Sequence, residues 1–235
     1  MLLVFDLDGT LVDSSRDLAD SADALLVSYG AVPLDAPSVM RMVGEGAAVL
    51  VARLMAARGV QADPAEALAR FLAIYDERLL AHTRPYDGIP EALHELRRWA
   101  RLAVLTNKPG AATARLLDGL GLRPAFEWVI GGDTPIGRKP DPAGLLLLVR
   151  EAGGEASSTA LIGDSLVDLR TAQNAGTRVC LTRYGFGFTS CTPDAFRGDE
   201  LFVDAPSDLP RVLPMLLAPT AALAGQRRKG SSQEA

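Results

Sequence analysis

From about residue 85 onward the chain alternates short apolar runs with helical stretches, and this alternation narrows the fold more than any other feature. Helical pattern over residues 90–100, 111–117, 142–152 and 167–174 is interleaved with strand-like runs at 102–105, 128–130, 160–162 and 178–181. Strands separated by helices of this length build parallel βαβ units. A further apolar run, Leu2-Leu3-Val4-Phe5, opens the chain and reads as a short buried strand. It has no alternating partner nearby. Ser14 or Ser15 can cap a helix with the stripe Leu18, Ala22, Leu25, Leu26 and Tyr29, which Gly30 stops. Helical segments at 37–43, 47–58 and 64–81 follow, broken at Gly44-Glu45-Gly46 and at Gly59, before a turn-rich linker at 83–88. The expected architecture is α/β: a Rossmann-like parallel sheet core from residues 1–13 and 85–215, capped by a helical bundle inserted at 14–84. Residues 216–235, which end in Ala, Gly, Ser and the cluster Arg227-Arg228-Lys229, read as a flexible tail.

Charge and cysteine content exclude several function classes. The 235 residues are 48% hydrophobic and 23% charged, with a net charge of −5 and basic residues scattered along the chain. No basic face for nucleic acid results. Cys180 and Cys191 are too few for a disulfide framework and lack metal-ligand spacing, so they read as buried or inert thiols. No apolar stretch approaches a membrane span, and Met1 runs straight into a strand without a basic leader. These features point to the cytoplasm and away from a membrane. Trp99, Trp128 and Phe126 read as core residues, and His82 and His94 as surface helix positions.

Four of the strand ends carry polar groups. The first is Asp6-Leu7-Asp8-Gly9, and the second is Thr106-Asn107 after the strand at 102–105. The third is Gly137-Arg138-Lys139-Pro140-Asp141-Pro142, a cation between a glycine and a proline at a helix entrance. The fourth is Gly163-Asp164-Ser165-Leu166-Val167-Asp168, where Asp164 can cap the next helix and Asp168 lies on the same face one turn in. Singly, each reads equally well as a turn, a surface charge or a cap. Together they meet in one crevice, because open α/β sheets bind ligands at the carboxyl ends of their strands. Carboxylates converging there repel and call for a hard divalent cation with oxygen ligands, Mg²⁺ first. A lysine and hydrogen-bond donors in the same place suit a phosphoryl group.

These four clusters, with the flanking Thr10-Leu11-Val12-Asp13-Ser14 and Lys108, resemble the ordered motifs of the haloacid dehalogenase-like superfamily, with a helical insert where that superfamily places its type-1 cap. Gly131-Gly132-Asp133-Thr134, Tyr184-Gly185-Phe186-Gly187 and Val43-Gly44-Glu45-Gly46 further resemble phosphoglycolate phosphatases. The resemblance implies a Mg²⁺-dependent phosphatase acting on a small phosphorylated metabolite, 2-phosphoglycolate to glycolate and phosphate, as a monomer or homodimer. It implies Asp6 as nucleophile forming an aspartyl-phosphate, and Asp8 as general acid and base. It also implies Mg²⁺ on Asp6, Asp164 and the main-chain carbonyl of Asp8. Thr106, Asn107 and Lys139 would bind the phosphoryl oxygens, and Asp168 would orient Lys139 or a metal-bound water. Arg41, just before the Gly44-Glu45-Gly46 loop, is the candidate for the substrate's second charge; a surface salt bridge is the alternative.

Rival activities fare differently on the residues. A dehalogenase has no leaving oxygen to protonate, which leaves Asp8 without a task. A phosphonoacetaldehyde hydrolase needs a cap lysine, and the three lysines, Lys108, Lys139 and Lys229, all lie outside 14–84. A phosphatase for a sugar phosphate or nucleotide, and a hexose-phosphate mutase, share the motifs and remain open. A phosphometabolite-binding pseudo-phosphatase would show decay at a catalytic position, and none is decayed.

Overall fold

The structure, a computed structural model, describes residues 1–216. Its strands are β1 (Leu2–Phe5), β2 (Val12–Asp13), β3 (Arg84–Pro85), β4 (Arg101–Leu105), β5 (Trp128–Ile130), β6 (Thr159–Gly163), β7 (Arg178–Thr182) and β8 (Leu201–Val203). Helices α1 (Ser15–Ser28), α2 (Ala36–Met40), α3 (Ala47–Ala57) and α4 (Pro64–Arg78) lie between β2 and β3. The rest of the chain carries α5 (Ile89–Leu96), α6 (Gly110–Gly119), α7 (Ala143–Glu151), α8 (Leu166–Ala175) and α9 (Leu209–Leu216).

Six strands form one sheet in the order β5-β4-β1-β6-β7-β8, every pair parallel. β1 is central, with Val4 opposite Ala103 of β4 on one side and Leu161 of β6 on the other. Both faces of the sheet are covered, which is why its strands read as unbroken apolar runs rather than alternating ones. Leu3, Phe5, Val104 and Ile162 pack to one side with Ile89 and Leu93 of α5, Leu116 of α6 and Leu213 of α9. Leu2, Val4, Leu105, Leu161 and Leu181 pack to the other, against Leu145 and Leu148 of α7 and Leu169 of α8. From β1 the chain runs outward through β4 to β5, then returns through α7 to β6 on the far side of β1. That reversal is the switch point at which such sheets open a crevice.

Beyond β1 the chain turns sharply. The Leu7 carbonyl accepts from the Leu11 and Val12 amides at 2.9 and 3.1 Å, and Gly9 takes φ +84°, a conformation that favours glycine. β2 then pairs antiparallel with β3, joining the start and finish of the helical stretch. β3 falls in the segment read from sequence as a linker, and β2 in the stretch between Gly9 and the first helix; two residues each are too few for a period to show. β8 and α9 were likewise not anticipated. The stretch 37–43 is helical only to Met40, and 64–81 only to Arg78.

Neither of two expected side-chain caps forms as the sequence suggests. Ser14 precedes α1, but its hydroxyl donates to Asp8 at 2.6 Å instead of closing the helix. At α8 the cap is Ser165, which accepts from the Asp168 amide while Asp168 accepts from Ser165, so Asp164 is free of that task. Phe126 is core, edge-on to Phe5 at 6.2 Å, whereas Trp99 and Trp128 are only half-buried, with the Arg101 guanidinium 4.3 Å over the Trp128 ring. His94 lies exposed on α5, and His82 sits in a bend, its ring bonded to Asp17. Cys180 is buried and Cys191 half-buried; both are free, and burial pushes both thiols up to about 12. No helix among the described residues is long and apolar enough to cross a membrane. The tail expected over 216–235 lies, beyond Leu216, outside the described residues.

Candidate active site

Asp6 follows β1, Thr106 follows β4, and Asp164 follows β6, so three adjacent parallel strands deliver their end residues to the same edge. Lys139 comes in from the segment that precedes α7, at the switch point. Its ammonium is 2.6 Å from Asp168 Oδ1 and 2.8 Å from Asp6 Oδ1. Asp168 Oδ2 accepts from Ser165 through the hydroxyl at 2.6 Å and the amide at 3.1 Å, so both its oxygens are engaged. Asp164 sits beside them and accepts from the Gly187 amide at 2.7 Å. The packing is close: a Cβ on Gly9 or Gly185 would collide with the Asp164 carboxylate.

Carboxylate oxygens of Asp6, Asp164 and Asp168 all lie within 4.8 Å of one another, and all three residues are buried. Burial first, and then the charge of Asp168, push the Asp6 carboxyl up to about 6 against the opposing pull of Lys139. Burial, Asp168 and Asp6 push Asp164 well above the carboxylate range. Three buried carboxylates facing one ammonium are an excess of negative charge, and Asp6 Oδ1 makes no hydrogen bond despite its ion pair. Such a donor set, all hard oxygen, fits a small divalent cation. Asp6 and Asp164 are the members free to hold it, because Asp168 is already committed to Lys139 and Ser165.

Asp8 points into a separate environment. Ser14 donates to its Oδ1 at 2.6 Å, and the Lys108 ammonium lies 3.0 and 3.1 Å from its two oxygens. Lys108 also donates to the Tyr75 hydroxyl of α4 at 2.5 Å and stands 4.4 Å over that ring. Asn107 uses its side-chain amide to bridge the Gly44 and Lys139 carbonyls, both at 2.9 Å, while its Oδ1 is buried without a partner. Thr106 is buried beside it, its hydroxyl accepting from the Lys108 amide at 3.2 Å. These groups open onto a cavity of about 410 Å³ between the strand ends and the helices of residues 15–78.

Arg41 is not brought to this cavity. It is exposed at the end of α2 and donates to Ser38 at 2.8 Å, so a role in holding substrate finds no support in its position. The sequence reading includes Lys108, Ser14 and Gly187 in its motifs without giving them a part in the site, and does not single out Tyr75. Lys108 had a signal: 24 basic residues include only three lysines, and two of those enter the site. Tyr75 had none, because it lies on an ordinary apolar stripe with Phe71, whose ring it stacks on at 5.9 Å.

A family model described as haloacid dehalogenase-like hydrolase matches residues 3–182. A phosphoglycolate phosphatase of Rhodospirillum rubrum is 45% identical over 192 residues, which cover 78% of this chain and 80% of that protein. Phosphoglycolate phosphatase 1 of Pseudomonas aeruginosa is 39% identical over 88% of this chain and 78% of its own length. Among solved structures, a predicted phosphoglycolate phosphatase from Haemophilus somnus superposes with a TM-score of 0.82 at 30% identity, covering 90% of this chain and 97% of that one. The match spans β1 to β7 and so takes in every strand end that supplies the site; this chain belongs to the haloacid dehalogenase-like hydrolases.

Proposed function

We propose that this hydrolase is a Mg²⁺-dependent phosphatase for a small anionic phosphomonoester, with 2-phosphoglycolate as substrate, and that residues 14–84 act as a cap over the site. The observation that carries the reading is the separation of two aspartates two residues apart into two settings. Asp6 lies with Lys139, Asp164 and Asp168, whereas Asp8 lies with Ser14 and Lys108. One carboxylate is thereby set to act on phosphorus and the other on the leaving group. The relatives named phosphoglycolate phosphatase support the choice of ester.

In this mechanism an Asp6 carboxylate oxygen attacks phosphorus in line while the bond from phosphorus to the leaving oxygen breaks, and Asp8 gives that oxygen its proton. Asp8 then takes a proton from a water that attacks the aspartyl-phosphate, releasing phosphate and restoring Asp6. Lys139, the Thr106 hydroxyl and the Asn107 main chain bind the phosphoryl oxygens and stabilise the charge that grows on them. Mg²⁺, held by Asp6, Asp164 and the Asp8 carbonyl, would offset the repulsion between an anionic nucleophile and an anionic phosphate. Asp168 keeps Lys139 aimed, and closure of the cap about Val12–Asp13 and Arg84–Pro85 excludes bulk water. The enzyme is proposed to work as a monomer or homodimer in the cytoplasm, a setting with which the free thiols of Cys180 and Cys191 agree.

Phosphate release from a panel of small phosphoesters, with and without Mg²⁺ and with EDTA, tests the reading. The expected result is metal-dependent release with the highest kcat/KM on 2-phosphoglycolate. A preference for a sugar phosphate would keep the mechanism and remove the substrate; no release from any ester by folded, metal-supplied protein would remove both.

A further inference from the structure

Hydrolysis of a phosphoester does not by itself need Lys108, yet the chain buries this lysine beside the acid that serves the leaving group. It is the sole basic side chain among the described residues that line the cavity. The wall that the inserted segment presents there is mostly apolar, with Leu18, Val43, Leu50, Phe71 and Leu72; Tyr75 and the carboxylate of Asp76 are its polar members.

Distance from Asp8 decides what Lys108 can hold. To protonate the leaving oxygen, Asp8 must come within hydrogen-bond reach of it, about 3 Å. Lys108 Nζ is 3.0 Å from Asp8, so a group one methylene beyond the leaving oxygen falls next to the ammonium. A carboxylate placed there makes a charge-assisted hydrogen bond. Hydroxyls carried further along a sugar chain would instead meet the apolar wall, where burial without a partner is costly. Lys108 also has a donor to give. Its near-equal contacts to the two Asp8 oxygens read as one shared N–H, Tyr75 takes a second, and an ammonium has three. Burial pushes the Tyr75 hydroxyl up to about 12, so it stays a neutral phenol able to accept that bond.

Resting on the phosphatase reading above, we propose that Lys108, held in place by Tyr75, is the counter-ion for a carboxylate one carbon beyond the leaving oxygen, and so selects 2-phosphoglycolate-type esters over esters of neutral or longer alcohols.

The test compares wild type, Lys108→Met and Tyr75→Phe on two esters of matched length, 2-phosphoglycolate and ethyl phosphate, with Mg²⁺ present. The readout is the ratio of the two kcat/KM values, which cancels whatever the loss of Lys108 does to Asp8. In Lys108→Met the ratio should fall by about a hundredfold, mainly through KM for 2-phosphoglycolate. Tyr75→Phe keeps the lysine and the ring and should lower the ratio several-fold in the same direction; it carries the test alone if Lys108→Met fails to fold. A wild-type preference for 2-phosphoglycolate with ratios unchanged in the variants overturns the assignment of Lys108 and leaves the phosphatase reading standing. A wild type that favours ethyl phosphate or longer esters overturns the assignment of Lys108 and the choice of 2-phosphoglycolate while the phosphatase mechanism stands. No release from either ester by folded, metal-supplied protein overturns the phosphatase reading itself.

Discussion

Lys139 keeps its charge in a place where burial works against any ammonium. Desolvation lowers its pKa, but Asp168 and then Asp6 raise it further, and the balance leaves it raised. Asp168 is therefore the anchor of the cation that meets the phosphoryl group, though it touches no reacting atom in the mechanism above. Asp168→Asn keeps the shape and the bonds to Ser165 while removing the charge. Breaking an isolated buried ion pair costs roughly 3–5 kcal/mol. Here the loss should be about 1–3 kcal/mol, because Asp168 also crowds Asp6 and Asp164, and that repulsion goes with it. The variant should melt lower and show kcat reduced more than tenfold, since Lys139 is no longer aimed. Native stability together with native kcat would refute this role.

At the scale of elements, Asp17 ties α1 to the chain that leaves the helical insert. Its buried carboxylate accepts from the His82 amide, the Thr83 amide at 2.8 Å and the Thr83 hydroxyl at 2.7 Å, and lies 2.9 Å from the His82 ring. Burial alone would raise its pKa, but these bonds outweigh it and hold the carboxyl below the ordinary range. A depressed folded value sets the sign: the stabilisation is complete above the unfolded carboxylate pKa of about 3.9 and is lost as pH falls through the folded value. Melting temperatures of wild type and Asp17→Asn, measured from about pH 7 down to about pH 3, should converge at the acid end. At neutral pH the variant should be about 1–3 kcal/mol less stable, with the Thr83 donors poorly matched. A constant gap across the whole range would contradict the assignment. The same element shows why sequence reading stopped short. Leu18, Ala22, Leu25 and Leu26 announce α1 by their spacing, and all are buried. The bond from Asp17 to residues 82 and 83 is long-range, and no periodicity reports it. Ser14 is a parallel case: its type suits a cap, but Asp8 lies nearer and takes its hydroxyl.

Over the whole molecule, the parallel sheet was legible because short apolar strands alternating with helices build βαβ units, and the strand ends carried their polar groups with them, whereas the strand order and the edge strand β8 emerge only from the structure. Asp6, Thr106, Lys139, Asp164 and Asp168 are thus placed by backbone topology, which local pattern encodes well. The cap side of the cavity is different. Its residues reach the site by the angle at which helices pack, so Arg41, close in sequence to the Gly44-Glu45-Gly46 loop, faces away while Tyr75 reaches Lys108. What the two sides share is the pair Asp6 and Asp8, and the account stands on Asp6 forming the bond to phosphorus. The most direct measurement is mass spectrometry of enzyme quenched in acid during turnover of 2-phosphoglycolate with Mg²⁺. One phosphoryl group, about 80 Da, should appear on the peptide containing Asp6. It should be absent from Asp6→Asn, which folds normally and releases no phosphate. A phosphoryl group on another residue, or phosphate release by Asp6→Asn at the wild-type rate, would contradict the account.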